Sequence, residues 1–175
     1  MPSLHSLIHP KVLHELCQIA EMAPPGPFVE VGVYKGGSAI LLAAIAQAQG
    51  RPIYLYDTFT GMPEATAGVD YHPVGKFADT SAEAVQAAIP YATFCIGTFP
   101  ETLGEEPARI AFAHVDCDQY ATTKAVCALL SPRMVPGGCM VFDDYPCLDG
   151  ARRAVDEAFG DRVTHTATGK AAVWF

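Results

Sequence analysis

The sequence has no apolar run near the roughly 18 residues that a membrane span requires. Its longest, AILLAAIA at 39–46, sits inside an alanine-rich helical pattern. The N-terminal MPSLHSLIHPKVL lacks a charged segment followed by a continuous apolar one, so no signal peptide and a cytoplasmic location are expected. Charge is sparse at 17 % of residues, and basic charge is the scarcer, with 11 Lys and Arg against 19 Asp and Glu. The resulting formal net charge of −8 argues against partners that are nucleic acids or anionic membranes. A small ligand held by local amides remains allowed. None of the cysteines at 17, 95, 117, 127, 139 and 147 forms C-x-x-C. Neither structural zinc nor disulfides are expected, and each cysteine reads as a small buried hydrophobe. The chain also lacks a G-x-x-x-x-G-K-[ST] loop and a G-x-G-x-x-G turn, which speaks against a nucleoside triphosphate or a dinucleotide as ligand.

What the chain has is apolar content. Half of its 175 residues are hydrophobic, enough for one domain over 1–175 with a sizeable core. HPKVLHELCQIAEM reads as a leading helix within 1–25. The segments FVEVGV, PIYLYD, YATFCIG, RIAFAHVD and GGCMVFDD read as strands bounded by breakers. GGSAILLAAIAQAQG, SAEAVQAAI, YATTKAVCALLSPRM and LDGARRAVDEAFG read as helices. RVTHTATGKAAVWF reads as a closing hairpin turned at Thr168-Gly169, with Trp174 packed in the last strand. Strands alternating with helices through the first five imply a parallel α/β sheet covered on both faces, ending in an antiparallel hairpin. The connection 58–80 is long for a compact domain and rich in Gly, Pro, Thr and Asp, which marks it as a lid or acceptor loop. Its Tyr71 and His72 are candidates to touch an acceptor.

Two stretches point to a cofactor. FVEVGVYKGGSA has the form E-x-G-x-x-x-G-G-S, where Gly32 and Gly36 let backbone approach a ligand and the following helix offers amides. Glu30 would repel a pyrophosphate and suit a cation. Asp57 ends the second strand 21 residues beyond Gly36, where an acid accepts hydrogen bonds from ribose hydroxyls. A ribose-bearing, phosphate-free, cationic cofactor describes S-adenosylmethionine. Plain alternatives are a Gly-rich turn with a solvated Glu30, and an Asp57 that only caps a turn.

Two further strands end in acids, Asp116 in HVDCDQY and Asp143-Asp144 in MVFDDY. Neighbouring strands of a parallel sheet would bring these hard oxygen donors together outside their carboxyl ends, which suits Mg²⁺, with Mn²⁺ or Ca²⁺ as substitutes. Asp118 projects to the side of Asp116 if the backbone stays extended. The competing readings are a helix cap for Asp116 and Asp118 and a solvated turn for Asp143 and Asp144. His114 shares parity with Asp116, so it either enters the crevice or is a hydrogen-bonded strand histidine. Arg152 and Arg153 face either an acidic substrate or water.

The blocks FVEVGVYKGGSA, YDTFTGMPE, FADTS, IGTFPETL, HVDCDQYATTKAV and GGCMVFDDY, in this order over 28–145, resemble the macrocin-type O-methyltransferases. KAAVWF resembles the last strand of that family. The resemblance implies a Rossmann-like class I methyltransferase fold, with a mostly parallel seven-stranded sheet in the order 3-2-1-4-5-7-6. It implies methyl transfer from S-adenosylmethionine to a hydroxyl of a small acceptor, a sugar or other diol of a natural product. By it, Glu30, Gly32, Tyr34, Gly36 and Ser38 line the methionine end of the cofactor. Asp57 takes the ribose, with Thr58 and Phe59 beside it. Asp79, Ser81 and Gly97 approach the adenine. Asp116, Asp143 and Asp144 are implied as metal ligands, Asp116 also counting as a cofactor contact, and Asp118 as general base. A homodimer in which a partner subunit lends covering segments is a further expectation. A binding protein that has lost turnover and a nucleotide-dependent oxidoreductase are the alternatives.

Overall fold

Every residue of IAFAHV is buried, as is every residue of FVEV, and this locates the centre of the molecule. Strands that are apolar on both faces need cover on both faces, the signature of a central parallel sheet. A computed structural model describes residues 5–175 and shows that sheet. In chain order the elements are α1 (Pro10–Met22), β1 (Phe28–Val31), α2 (Gly37–Ala48), β2 (Ile53–Asp57), α3 (Ala82–Ala88) and β3 (Thr93–Ile96). There follow β4 (Ile110–Val115), α4 (Tyr120–Leu130), β5 (Met134–Phe142), α5 (Asp149–Phe159), β6 (Thr164–His165) and β7 (Ala171–Trp174). The seven strands lie in the order β3-β2-β1-β4-β5-β7-β6, parallel from β3 to β5 and antiparallel where β7 joins β5 and β6. The fold is that of the class I methyltransferases.

Helices α1, α2 and α3 cover one face. Leu16, Ile19 and Ala20 of α1 and Leu42, Ala43 and Ala46 of α2 share a core with Phe28, Leu55 and Phe112. On the other face Val126, Cys127 and Leu130 of α4 and Val155 and Phe159 of α5 pack against Val29, Ala113 and Met140. Alanines at 39, 43 and 46 bring α2 close to the sheet.

The leading helix spans Pro10–Met22, as read from HPKVLHELCQIAEM, and ahead of it His5 forms a parallel bridge to Gly36. Other expectations are corrected. No helix links β3 to β4; Gly97, Pro100, Gly104 and Pro107 break the connection. Trp174 is 46 % exposed rather than packed, because it lies at the end of β7 while Ala171 and Val173 fill the core. Cys147 is exposed and Cys17 and Cys95 are half-buried; the other three are buried. Arg153 pairs with Glu157 and Arg152 with Asp149 on the surface of α5. Among the described residues no helix is long and apolar enough to cross a membrane.

Candidate active site

Parallel strands deliver their C-terminal ends to one edge, and at that edge lies a cavity of about 250 Å³. The turn after β1 forms its floor. Gly32 adopts φ 91°, and a Cβ there would sit 1.8 Å from the carbonyl oxygen of Asp116, so only glycine lets the two strand ends approach. Beyond it, the N–H groups of Val33 and Tyr34 both donate to Oδ2 of Asp57, at 2.7 and 2.8 Å. Oδ1 of Asp57 accepts from the N–H of Phe59 at 2.7 Å. One carboxylate at the end of β2 thus organises two turns, as the capping alternative anticipated, while it still lines the cavity.

Gly32, Tyr34, Ser38, Asp57, Thr58, Gly97, Asp116, Asp118, Asp143 and Asp144 meet on the cavity wall. Five residues anticipated at the cofactor stand off it. Gly36 is the left-handed N-cap of α2. Phe59 is buried beside Phe94. Asp79 accepts from Tyr34 Oη at 2.8 Å and from Lys35 Nζ at 2.5 Å, and so braces the turn from outside. Ser81 caps α3 through the N–H of Ala84.

The fifth, Glu30, lies beneath the floor rather than in the crevice. It is fully buried, and its Oε1 lies 2.8 Å from Nδ1 of His114, its register partner on β4. His114 is therefore a hydrogen-bonded strand histidine. Oε2 of Glu30 and Nε2 of His114 have no partner among the described residues.

The ends of β4 and β5 supply the acids. Asp116, Asp143 and Asp144 each offer a carboxylate oxygen, and the three lie within 4.8 Å of one another. Burial above all, then the charges of Asp144, Asp143, Asp118 and Glu30, holds Asp116 well above the usual carboxylate range. Burial likewise pushes Asp118 up to about 8, with Asp144, Asp143 and Asp70 adding to it. Asp144 is pushed up to about 6 by burial, against a hydrogen bond from the N–H of Asp118 and the charge of Lys170. Clustered carboxylates that resist ionisation in the absence of a cation are what a hard divalent cation relieves. The donor set, all oxygen and without cysteine or histidine, fits such an ion.

Asp118 does not continue the strand. Its φ of 60° turns it into the left-handed region, so the extended projection expected from sequence is replaced by a tight turn. The turn aims its N–H at Oδ2 of Asp144, 2.8 Å away. Nε2 of His72, from the 58–80 loop, lies 3.5 Å from Oδ1 of Asp118, while Tyr71 is 81 % exposed. Neither Asp116 nor Asp118 caps α4. Its N-cap is Gln119, and the N–H of Tyr120 donates to Oδ1 of Asp70 at 2.7 Å. Oδ2 of Asp70 accepts from Thr66 N–H at 2.6 Å, so this one side chain ties the long loop to α4.

Sequence reasoning missed Asp70, Lys76, Phe77, Gln119 and the segment 5–8, all but Asp70 on the cavity wall. Gln119 is buried there with no partner for its side-chain Nε2 among the described residues. The only signal for Asp70 was its place in a long loop, since its contact is 50 residues away.

The sheet order and the acid-lined cavity at the strand ends place the molecule among class I methyltransferase folds. Residues 10–168 match the family described as macrocin-O-methyltransferase (TylF), and the chain belongs to that family. It is 33 % identical to the 8-demethyl-8-(2,3-dimethoxy-alpha-L-rhamnosyl)-tetracenomycin-C 4'-O-methyltransferase of Streptomyces olivaceus, over 78 % of this chain and 59 % of that protein. It is 31 % identical to the mycinamicin III 3''-O-methyltransferase of Micromonospora griseorubida, over 87 % of this chain and 69 % of that one. The chain thus spans less than two thirds of the length of the first of these curated relatives. The solved structure of the O-methyltransferase NovP superposes with a TM-score of 0.82 at 26 % identity, over 97 % of this chain and 81 % of that one.

Proposed function

We propose that the protein is an S-adenosylmethionine-dependent, Mg²⁺-assisted O-methyltransferase that acts on a hydroxyl of a small natural-product acceptor, a sugar or another diol. The observation that carries this reading is the meeting, in one cavity, of the Gly32–Asp57 turn pair with the trio Asp116, Asp143 and Asp144 and with Asp118. The names of the relatives, O-methyltransferases of a rhamnosyl-tetracenomycin and of mycinamicin III, support the acceptor class.

Asp57 orients the turn amides that would cradle the cofactor, and Gly32 keeps the floor free of side chain. Thr58, Gly97 and Ser38 complete that wall. Asp116, Asp143 and Asp144 would hold the cation. When bound, the cofactor supplies an electrophilic methyl group, and the cation supplies positive charge that lowers the pKa of an acceptor hydroxyl. Asp118 removes the hydroxyl proton, and His72 lies beside its Oδ1. Burial raises Asp118 above the usual carboxylate range, which favours proton uptake relative to an exposed aspartate. The walls hold acceptor and donor in line, and alignment contributes much of the acceleration in reactions of this kind.

The test is a screen of glycosides and vicinal diols with methyl-labelled cofactor, with Mg²⁺ and with EDTA. Label transfer that needs the divalent cation is expected. Binding of S-adenosylhomocysteine without transfer to any acceptor would favour a binding protein.

A further inference from the structure

Lys170, a largely covered cation, takes no part in that chemistry. Lys170 lies between the hairpin turn and β7, where the pairing of Phe142 with Ala171 sets it opposite Asp143. Its Nζ donates to Oδ2 of Asp143 at 2.8 Å and to the carbonyl oxygen of Asp143 at 2.7 Å. The two side chains are only 14 % and 13 % exposed. Among the described residues, no other lysine or arginine lies within ion-pair distance of Asp116, Asp143 or Asp144.

The hairpin that carries Lys170 is fixed in place. Glu15 of α1 accepts from the N–H groups of Ala167 and Thr168, at 2.5 and 2.9 Å, and from the hydroxyls of Thr166 and Thr168. The ammonium is therefore a built contact and not a wandering surface charge.

We propose that Lys170 is a tethered counter-cation of the acidic trio, one that holds the cluster together without metal and competes with a divalent cation for Asp143. The inference rests on the reading of the trio as a cation site. Its ammonium offsets one negative charge of the cluster and holds one oxygen of a carboxylate that a metal would also use. A divalent ion entering the site must share Asp143 with it and is repelled by it. Lys170 thereby sets the cation affinity below what the three carboxylates alone would give.

The experiment titrates Mn²⁺ alone into the full chain, followed by electron paramagnetic resonance of the free ion and by calorimetry. Lys170→Met and Lys170→Gln are expected to bind Mn²⁺ about tenfold more tightly than the parent, the scale of one unit charge removed from a partly buried site. Lys170→Arg, which keeps the charge, is expected to stay within about threefold of the parent, since guanidinium geometry differs from ammonium. The metal-free Lys170→Met protein is expected to melt at a lower temperature. A merely structural lysine would lower the melting temperature without tightening the metal. If Lys170→Met fails to fold, Lys170→Gln, which can still donate to the Asp143 carbonyl, carries the comparison. Folded neutral variants that bind Mn²⁺ no more tightly than the parent would overturn the role of Lys170 and leave the trio standing. A parent chain that binds no Mn²⁺ at millimolar concentration would overturn the cation site, and the role of Lys170 with it.

Discussion

The backbone N–H of Asp118 donates to Oδ2 of Asp144 across 2.8 Å, so the turn after β4 is locked onto an acid at the end of β5. The left-handed backbone of Asp118 makes that contact, and its own carboxylate lies in the same cavity as the trio, with His72 3.5 Å from Oδ1. Replacing Asp118 by Asn keeps the side-chain volume and the backbone contact but removes the proton acceptor. Methyl transfer to a responsive acceptor is expected to fall by about 10²-fold or more, while S-adenosylhomocysteine affinity by calorimetry stays within about threefold. Unchanged turnover in Asp118→Asn would rule it out as the base.

The metal-free protein is expected to lose stability as pH rises. Asp118 at about 8 and Asp144 at about 6 both lie above the ordinary aspartate value, because burial disfavours their charged forms. A carboxylate raised in this way contributes fully below the unfolded value of about 4, and its contribution is lost as pH climbs through the folded value. Melting temperatures in EDTA should therefore decline between about pH 5 and pH 8.5. Added Mg²⁺ should restore more at pH 8 than at pH 5, because binding requires ionised ligands and stabilises by mass action. A flat profile in EDTA would contradict the assigned environment of these acids.

Gly32→Ala places a methyl group 1.8 Å from the Asp116 carbonyl, at a φ of 91° that disfavours any side chain. The positive φ alone costs about 1–3 kcal/mol, and the clash adds to it. A marked fall in melting temperature and loss of S-adenosylhomocysteine binding are expected. Gly160→Ala, also at positive φ but with open space around it, should cost the φ penalty alone and leave binding intact.

Asp57→Asn leaves one oxygen for the N–H groups of Val33 and Tyr34 on one side and Phe59 on the other. The amide must turn its own donors toward at least one N–H. Each lost charge-assisted bond is worth about 1.5–3 kcal/mol. Cofactor affinity should drop by at least about tenfold, measured by calorimetry, together with a fall in melting temperature.

Asp70→Ala should release the 58–80 loop from α4. The side chain caps Tyr120 N–H and holds Thr66 N–H, and losing such a cap costs about 1 kcal/mol. Limited proteolysis should cut within 58–80 sooner than in the parent chain. Asp70→Asn, which retains an oxygen for Tyr120, should be intermediate.

The strand-ending acids were legible because β4 and β5 are short apolar runs with abrupt polar ends, and a parallel sheet has one place for such ends. Glu30 was legible as an acid in the first strand but not as a buried partner of His114. That pairing depends on the register of β1 against β4, set by the whole sheet. Asp118 reaches the cavity by another route than parity allowed for, since the backbone is not extended there and the left-handed turn depends on Asp144 arriving from another strand. Trp174 was misjudged for a related reason: both faces of β7 are covered at Ala171, Ala172 and Val173, and only the assembled sheet shows that this cover stops before Trp174.

Local chemistry along the chain decided the alternation of elements, the burial of β1 and β4, the glycine at the tight floor and the acids at the strand ends. Each of these follows from neighbouring residues, through periodicity, breakers and backbone sterics. Tertiary structure alone decided that Asp57 braces two turns, that Asp70 caps a helix 50 residues away, and that Lys170 sits on Asp143. Those contacts join segments distant in sequence, and no local pattern encodes the distance between two side chains until the sheet has brought them to one edge.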